Sequence, residues 1–261
     1  MSEHAVRRWW KIAGMNERNA PSRTRHGLAR VLSKHGLCSR AQAEAWIRAG
    51  RVAIDGQAVR NPEHPVDAGS RGISIDGRAL VQAENLYLML NKPRGLVTTT
   101  TDERGRDTVY RCFDGAGLGW IAPVGRLDKA SEGLLLFSND PAWAARITDP
   151  ATGPRKTYHV QVDATPDHAQ LARLEAGIDC DGQRLRVAFA RVLRSGGRNA
   201  WLEIALDEGR HRQIRRLLSA IDVEVLRLVR VAVGTVALGD LAKGQWRRLD
   251  AAEIRLLAGL D

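Results

Sequence analysis

The stretch Gly125-Arg126-Leu127-Asp128-Lys129-Ala130-Ser131-Glu132-Gly133-Leu134-Leu135-Leu136-Phe137 sets a carboxylate just ahead of an apolar run that reads as a buried strand. Arg126 stands two residues before Asp128, and glycines at 125 and 133 bracket the turn, where the backbone can pass close to a ligand. A carboxylate at the mouth of a core strand is either a turn residue or a catalytic group held on rigid scaffold. The local spacing by itself favours the turn residue, so the decision rests on the rest of the chain.

Upstream, Leu86-Tyr87-Leu88-Met89-Leu90 reads as a strand broken by Lys92-Pro93-Arg94-Gly95. Downstream, Asn139-Asp140-Pro141 caps a helix to about Thr148, with proline in its favoured first position. Lys156 to Val162 alternates as a half-buried strand with Tyr158, Val160 and Val162 on one face. Thr165-Pro166 caps a further helix closed near Gly177, and strands follow at 184–193 and 200–206. A basic helix spans His211 to Ala220, then strand-rich sequence at 225–238, a Gly244 turn and a last short helix. Strands outnumber helices and the connections are short, which predicts an α+β domain around an antiparallel or mixed sheet over residues 86–261.

Residues 25–80 predict a separate small module. Leu28, Val31 and Leu32 recur at helical spacing and Gly36 stops the helix. Ser39-Arg40-Ala41-Gln42 is a capping box opening a helix that ends at Gly50. Two Asp-Gly turns, Asp55-Gly56 and Asp76-Gly77, each predict a hairpin. Residues 1–24 read as a flexible basic arm, with Met15 an alternative start, and 81–85 as a short linker. On the module's helices or just after them lie Arg30, Lys34, Arg40, Arg48 and Arg51, with Glu44 the only acid there. Such a face attracts a phosphate backbone and predicts salt-sensitive RNA or DNA binding.

Composition narrows the classes. Of 261 residues 44% are hydrophobic, enough for a proper core, and 40 Lys and Arg against 30 Asp and Glu leave a charge of +10, which points to a polyanionic partner. Cys38, Cys112 and Cys180 are isolated, arguing against a disulfide framework or a zinc site and for a reducing, cytoplasmic setting. No apolar run nears the about 18 residues that span a bilayer. Arg7-Arg8 precedes no apolar segment, so it does not read as an export signal.

In the basic helix, Ile214, Leu217, Leu218 and Ile221 form a core stripe, so Arg212 and Arg216 point away, into solvent or nucleic acid. Arg215 lies about 100° round from Ile214, on the border, and could reach inward to a carboxylate such as Asp128. Tyr158 is a core residue or a ring on which an extruded base stacks.

The Asp128 segment resembles the catalytic motif of pseudouridine synthases, close to GRLDxxTxGLLLxTxD, with Ser131 where threonine is usual. Asn91-Lys92-Pro93-Arg94-Gly95, Gly105-Arg106-Asp107-Thr108-Val109, Lys156-Thr157-Tyr158 and Glu208 to Arg216 look like the Rsu/Rlu-type subgroup in the same order. Residues 27–75 resemble the S4-type RNA-binding domain, notably Cys38 to Ala43 and Gly50-Arg51-Val52. The resemblance implies that Asp128 is the catalytic aspartate. Arg126 would help evert the uridine, Tyr158 would stack on the pyrimidine, and Arg215 would pair with Asp128.

The resemblance further implies a ribosomal RNA pseudouridine synthase with the large-subunit RNA slightly favoured, acting on RNA or on an assembling ribosomal subunit. Uridine leaves its ribose at nitrogen and rejoins through carbon without redox change, so no metal and no cofactor is expected. No membrane or DNA partner is expected, and the chain is expected to be a monomer. The alternatives are a non-catalytic RNA chaperone with a degenerate synthase domain, and an aspartate-dependent nuclease using Asp128 with Glu132.

Overall fold

The computed structural model describes residues 25–67, 72–100 and 102–259; the basic arm predicted at 1–24 lies outside them. Two compact units divide between Gln82 and Ala83.

In the first unit, β1 (Arg25–Gly27) pairs antiparallel with β4 (Pro65–Asp67), and helices α1 (Leu28–Lys34) and α2 (Arg40–Arg48) pack together. Strands β2 (Val52–Ile54), β3 (Gln57–Ala58), β5 (Ile73–Ile75) and β6 (Arg78–Ala79) form a sheet in the order β3-β2-β5-β6. The capping box is made in full: Ser39 Oγ accepts from the Gln42 N–H at 3.1 Å, and Gln42 Oε1 accepts from the Ser39 N–H at 3.0 Å. Both hairpin turns hold two consecutive residues at positive φ, 49° and 81° at Asp55-Gly56 and 47° and 78° at Asp76-Gly77, the I′ geometry that suits strand twist. Leu28, Leu32, Ile47, Val52 and Ile73 fill the core between helices and sheet.

The second unit is built on one mixed sheet. Its strands are β7 (Tyr87–Lys92), β8 (Ala122–Val124), β9 (Glu132–Ser138), β10 (Lys156–Val162), β13 (Phe189–Ser195), β14 (Ala200–Leu206), β15 (Val225–Val233), β16 (Val236–Ala237) and β17 (Trp246–Arg248). The order is β13-β14-β10-β15-β9-β7-β17, with β16 paired to β15 and β8 to β9. Every pairing is antiparallel except β15 with β9, joined in parallel at Val229 with Glu132 and Arg230 with Gly133. That junction requires glycine: Gly133 has φ +99°, and a Cβ there would collide with the Arg230 carbonyl oxygen.

Strand β9 is buried throughout because both faces are covered, which accounts for its unbroken apolar run. Leu134 and Leu136 pack with Trp143 and Ile147 of α3 (Pro141–Thr148) and Leu257 of α6 (Ala251–Leu257). Leu135 and Phe137 join the opposite core with Leu174 of α4 (His168–Ala176) and Ile214, Leu217 and Leu218 of α5 (Gln213–Ser219).

Four local expectations are corrected. The first strand begins at Tyr87 and continues through Asn91 to Lys92, stopping only at the residue before proline. Asp167, not Thr165-Pro166, caps α4, because its carboxylate accepts from the Gln170 N–H at 2.7 Å while Gln170 reaches back. The strand expected at 184–193 divides: β11 (Ile178–Cys180) and β12 (Gln183–Leu185) form a hairpin on Asp181-Gly182, a third turn with both residues at positive φ, before β13 starts at Phe189. The basic helix starts only at Gln213, since Arg212 is left-handed with φ 50°.

Candidate active site

Val124 and Leu136 are antiparallel partners, so residues 125–131 form a tight loop between β8 and β9, turned at Gly125 with φ +76°. Three residues, one ending β7 and two in the segment after it, hold this loop. Thr98 Oγ1 donates to the Leu127 carbonyl at 2.7 Å, and the Gly95 N–H donates to the Lys129 carbonyl at 2.8 Å. Lys92, with no exposed surface, donates from Nζ to the carbonyls of Ser131 at 2.8 Å, Pro93 at 3.1 Å and Asp128 at 3.2 Å. Burial pulls the Lys92 ammonium down to about 8, against the favourable charges of Glu132, Asp128 and Cys112. In the sequence Lys92 stands out only as part of a motif match. The signal that could have found it is a lysine continuing an apolar strand into a proline.

Beside the loop is a cavity of about 560 Å³ whose lining includes Arg126, Asp128, Tyr158 and Arg215. Asp128 is half-buried, Arg126 is exposed, and Tyr158 sits on β10 opposite Ile204 and Arg230. The Tyr158 ring is 8% exposed and its hydroxyl makes no hydrogen bond among the described residues.

The acids of this lining differ in one respect. Asp149 accepts from the N–H groups of Ala151 at 2.7 Å and Thr152 at 3.1 Å. Glu208 accepts from Arg210 at 2.8 Å and Gln213 at 3.2 Å. The Asp128 carboxylate receives no hydrogen bond and no ion pair among the described residues, so it alone stands uncommitted.

Arg215 reaches the cavity as expected, but the predicted ion pair with Asp128 is not formed. Its Nη1 donates instead to the Val225 carbonyl at 3.1 Å, where β15 begins, and its Nε is buried without a partner. Burial and the neighbouring Arg212 pull the guanidinium below its ordinary value, while Asp128 acts in the opposite sense from a distance.

Two other expectations are corrected. Arg216 does not face nucleic acid: it donates to the Cys180 carbonyl at 2.6 Å and to Gln183 at 3.1 Å and pairs with Asp181 at 3.2 Å, clamping the β11–β12 hairpin. Glu132 is 3% exposed and meets Arg227 at 2.8 Å and Lys243 at 2.7 Å. Burial pushes its carboxyl up, but those hydrogen bonds outweigh burial and hold it below its ordinary value. It is therefore engaged in holding β9 to β15 and not available as a second acid beside Asp128.

In the first unit all five predicted RNA-binding cations are exposed. Their compensation is greater than the helices alone suggested, because acids arrive from other segments. Arg40 meets Glu63 at 2.9 Å as well as Glu44, Arg48 meets Glu44 at 3.0 Å, and Arg51 meets Asp76 at 2.6 Å while lying over Trp46 at 5.3 Å. Arg30 and Lys34 have no ion pair among the described residues, so α1 carries the uncompensated charge.

Residues 86–220 match the RNA pseudouridylate synthase family, and residues 27–71 match the S4 domain. The ribosomal large subunit pseudouridine synthase B of Escherichia coli strain K12 is 37% identical over 243 residues, covering 89% of this chain and 82% of that protein. An uncharacterized RNA pseudouridine synthase of Mycobacterium leprae is 37% identical over 233 residues, covering 88% and 91%. A crystal structure of a pseudouridylate synthase superposes with a TM-score of 0.62 at 30% identity, covering 89% of this chain and 99% of that one. The chain belongs to the RNA pseudouridine synthase family, whose members are isomerases, and it carries an S4 domain ahead of the synthase domain. No helix among the described residues is long and apolar enough to cross a membrane.

Proposed function

We propose that this chain converts a uridine of ribosomal RNA into pseudouridine, with Asp128 as the essential group. The large-subunit RNA is the favoured substrate, as the name of the Escherichia coli relative suggests. The observation that carries the reading is the uncommitted Asp128 carboxylate, in a cavity that also presents the Tyr158 ring and the Arg215 guanidinium.

In the reaction the bond between ribose and N1 of uracil breaks and a bond between the same ribose carbon and C5 forms. The proton on C5 is lost and N1 ends protonated, so the formula is unchanged and no oxidant, reductant or water is consumed. A carboxylate can attack the sugar or the base, or remove a ribose proton, and each route needs it ionised and free to move onto substrate. The target base must leave its stack, which costs a few kcal/mol in a duplex and less in a loop. Tyr158 receives the extruded pyrimidine on its face, and exposed Arg126, beside Asp128, fills the space it leaves. Arg215 brings positive charge near Asp128 without occupying its oxygens. The S4 unit grips phosphates, with Arg30 and Lys34 foremost, leaving base choice to the cavity.

The test is pseudouridine formation in a ribosomal RNA transcript by the purified chain, with Asp128→Asn as comparison and EDTA as a further arm. Turnover by the wild type in EDTA, none by the variant, and uncleaved RNA are expected. Equal pseudouridine from both proteins refutes the role of Asp128. RNA binding with no product from the wild type supports a chaperone instead, and EDTA-sensitive strand scission supports a nuclease.

A further inference from the structure

Two cations in the cavity have no acidic partner among the described residues and no part in the chemistry above. Lys156 is half-buried at the start of β10, two residues before Tyr158 and therefore on the same face of the strand. Its ammonium makes no hydrogen bond or ion pair among the described residues. Arg230, on β15, is the ladder partner of Tyr158 and is only 6% exposed. Its Nε donates to the Leu134 carbonyl at 2.7 Å, which fixes the side chain, while its Nη groups have no partner among the described residues. Both residues line the cavity.

The nearby acids are already engaged. Asp207, whose charge acts on Lys156, is exposed and bound to Arg155 at 2.7 Å. The Asp149 carboxylate is taken by backbone N–H groups of its own turn, and Glu208 by Arg210 and Gln213. Two neighbouring cations drawn from water without a counter-charge repel each other, and burial and Arg230 together pull the Lys156 ammonium below its ordinary value. An arrangement of this kind becomes favourable when an anion with several acceptor oxygens enters between them.

We propose that Lys156 and Arg230 together bind one backbone phosphate of the RNA next to the extruded nucleotide, fixing where its base lies against Tyr158. The proposal rests on the RNA-modifying reading above. It makes β10 a two-point ruler: the ammonium at position 156 takes the phosphate, and the ring at position 158 takes the base. Any base has a face to stack, so the phosphate contact supplies register along the strand and the pocket supplies the choice of base.

The test uses the full chain, a ribosomal RNA transcript, and the variants Lys156→Met and Lys156→Arg. Both the equilibrium affinity for RNA and the kinetics of pseudouridine formation are followed against potassium chloride. Lys156→Met is expected to weaken affinity and raise KM about ten- to hundredfold, as loss of a charge-assisted hydrogen bond entails. Its kcat stays within about twofold, because the contact is made equally in ground and transition states. The slope of log affinity against log salt falls by about 0.7, one phosphate contact on a single strand, and Lys156→Arg restores it. Inorganic phosphate at matched ionic strength competes with RNA on the wild type and not on Lys156→Met.

An unchanged salt slope in Lys156→Met overturns the proposal. Phosphate competition with an unchanged RNA slope overturns it too, assigning the pair to a free anion. Failure of Lys156→Arg to restore the slope points to a packing role and likewise overturns it. The binding arm needs no turnover, so a wild type that binds RNA but makes no pseudouridine refutes the function proposed above and leaves this test standing.

Discussion

Replacing Lys92 by methionine tests how the fold holds the Asp128 loop. The ammonium donates to three carbonyls at 2.8–3.2 Å in a site with no exposed surface; methionine strands those of Pro93 and Ser131, while the Asp128 carbonyl keeps the Ser131 N–H at 3.0 Å. Each stranded carbonyl costs about 1–3 kcal/mol. The offset is relief of the buried charge: a fall from 10.5 to about 8 corresponds to about 3 kcal/mol at neutral pH. The net destabilisation is then anywhere from none to about 3 kcal/mol, read as a shift in urea midpoint at constant slope. Activity should fall further than stability, since the donor withdrawn holds the backbone at Asp128 and Ser131 in the turn proposed to be catalytic. The pH dependence gives a second signature. The unfolded chain holds the Lys92 proton up to about 10.5 and the folded chain only to about 8, so the unfolded state binds more protons between these values and wild-type stability gains with rising pH there. Over the same range the amine drops from three donors to two while facing three acceptors, and turnover declines above about 8. Stability and activity thus move in opposite directions in the wild type, and neither trend appears in Lys92→Met. A variant as stable and as fast as wild type, or a wild type showing no such divergence, refutes the bracing role.

Other substitutions separate the remaining roles. Tyr158→Phe should keep turnover within about threefold because the hydroxyl has no partner to lose, whereas Tyr158→Ala should lose about ten- to hundredfold in kcat/KM, the worth of one base-on-ring stack; similar kinetics for both would contradict stacking. Gly133→Ala combines a strained positive φ, about 1–3 kcal/mol, with a clash against the Arg230 carbonyl of about 1–3 kcal/mol, and a denaturation midpoint near wild type would contradict the close β9–β15 approach. Arg30→Ala with Lys34→Ala should reduce the salt slope of RNA binding by about 1.5, while Arg51→Ala, tied to Asp76, should change it less; equal slopes would show that ion pairing does not decide which cations meet RNA.

Strands Lys156–Val162 and Ala200–Leu206 coincide with the ranges read from sequence, because period-two alternation over one buried face is a local signal. The capping box and the two Asp-Gly hairpins were legible for the same reason, each written within four residues. The parallel β9–β15 junction was not, since Gly133 and Arg230 are far apart in the chain and no local pattern announces their pairing. The β11–β12 hairpin carried its Asp-Gly signature in plain view, but Ile178-Asp179-Cys180 is too short to alternate visibly. At the site, the residue types were legible and their engagement was not. Glu132 and Arg216 both read as available charges, and both are tied up by partners from other elements. Lys92 read as part of a loop motif, although its side chain supports the loop carrying Asp128 across the fold.

Asp128 and Glu132, four residues apart, show two opposite treatments of a carboxylate. Glu132 is driven into the sheet and held by two cations in direct contact, so its charge is spent on joining β9 to β15. A group bound in this way cannot approach a substrate without breaking ion pairs in a low-dielectric site, where losing one partner is strongly destabilising. Asp128 has cations as well, but each acts at one remove. Lys92 touches its backbone carbonyl rather than its carboxylate, and Arg215 is anchored on Val225. Both bring positive charge near the acid, and neither takes the lone pairs of its carboxylate. Had Arg215 formed the direct pair expected from the sequence, opening it would add to the barrier of every turnover. Anchoring the guanidinium on a backbone carbonyl puts positive charge near the acid and leaves its oxygens free, which is what the role proposed for Asp128, meeting the nucleoside itself, requires.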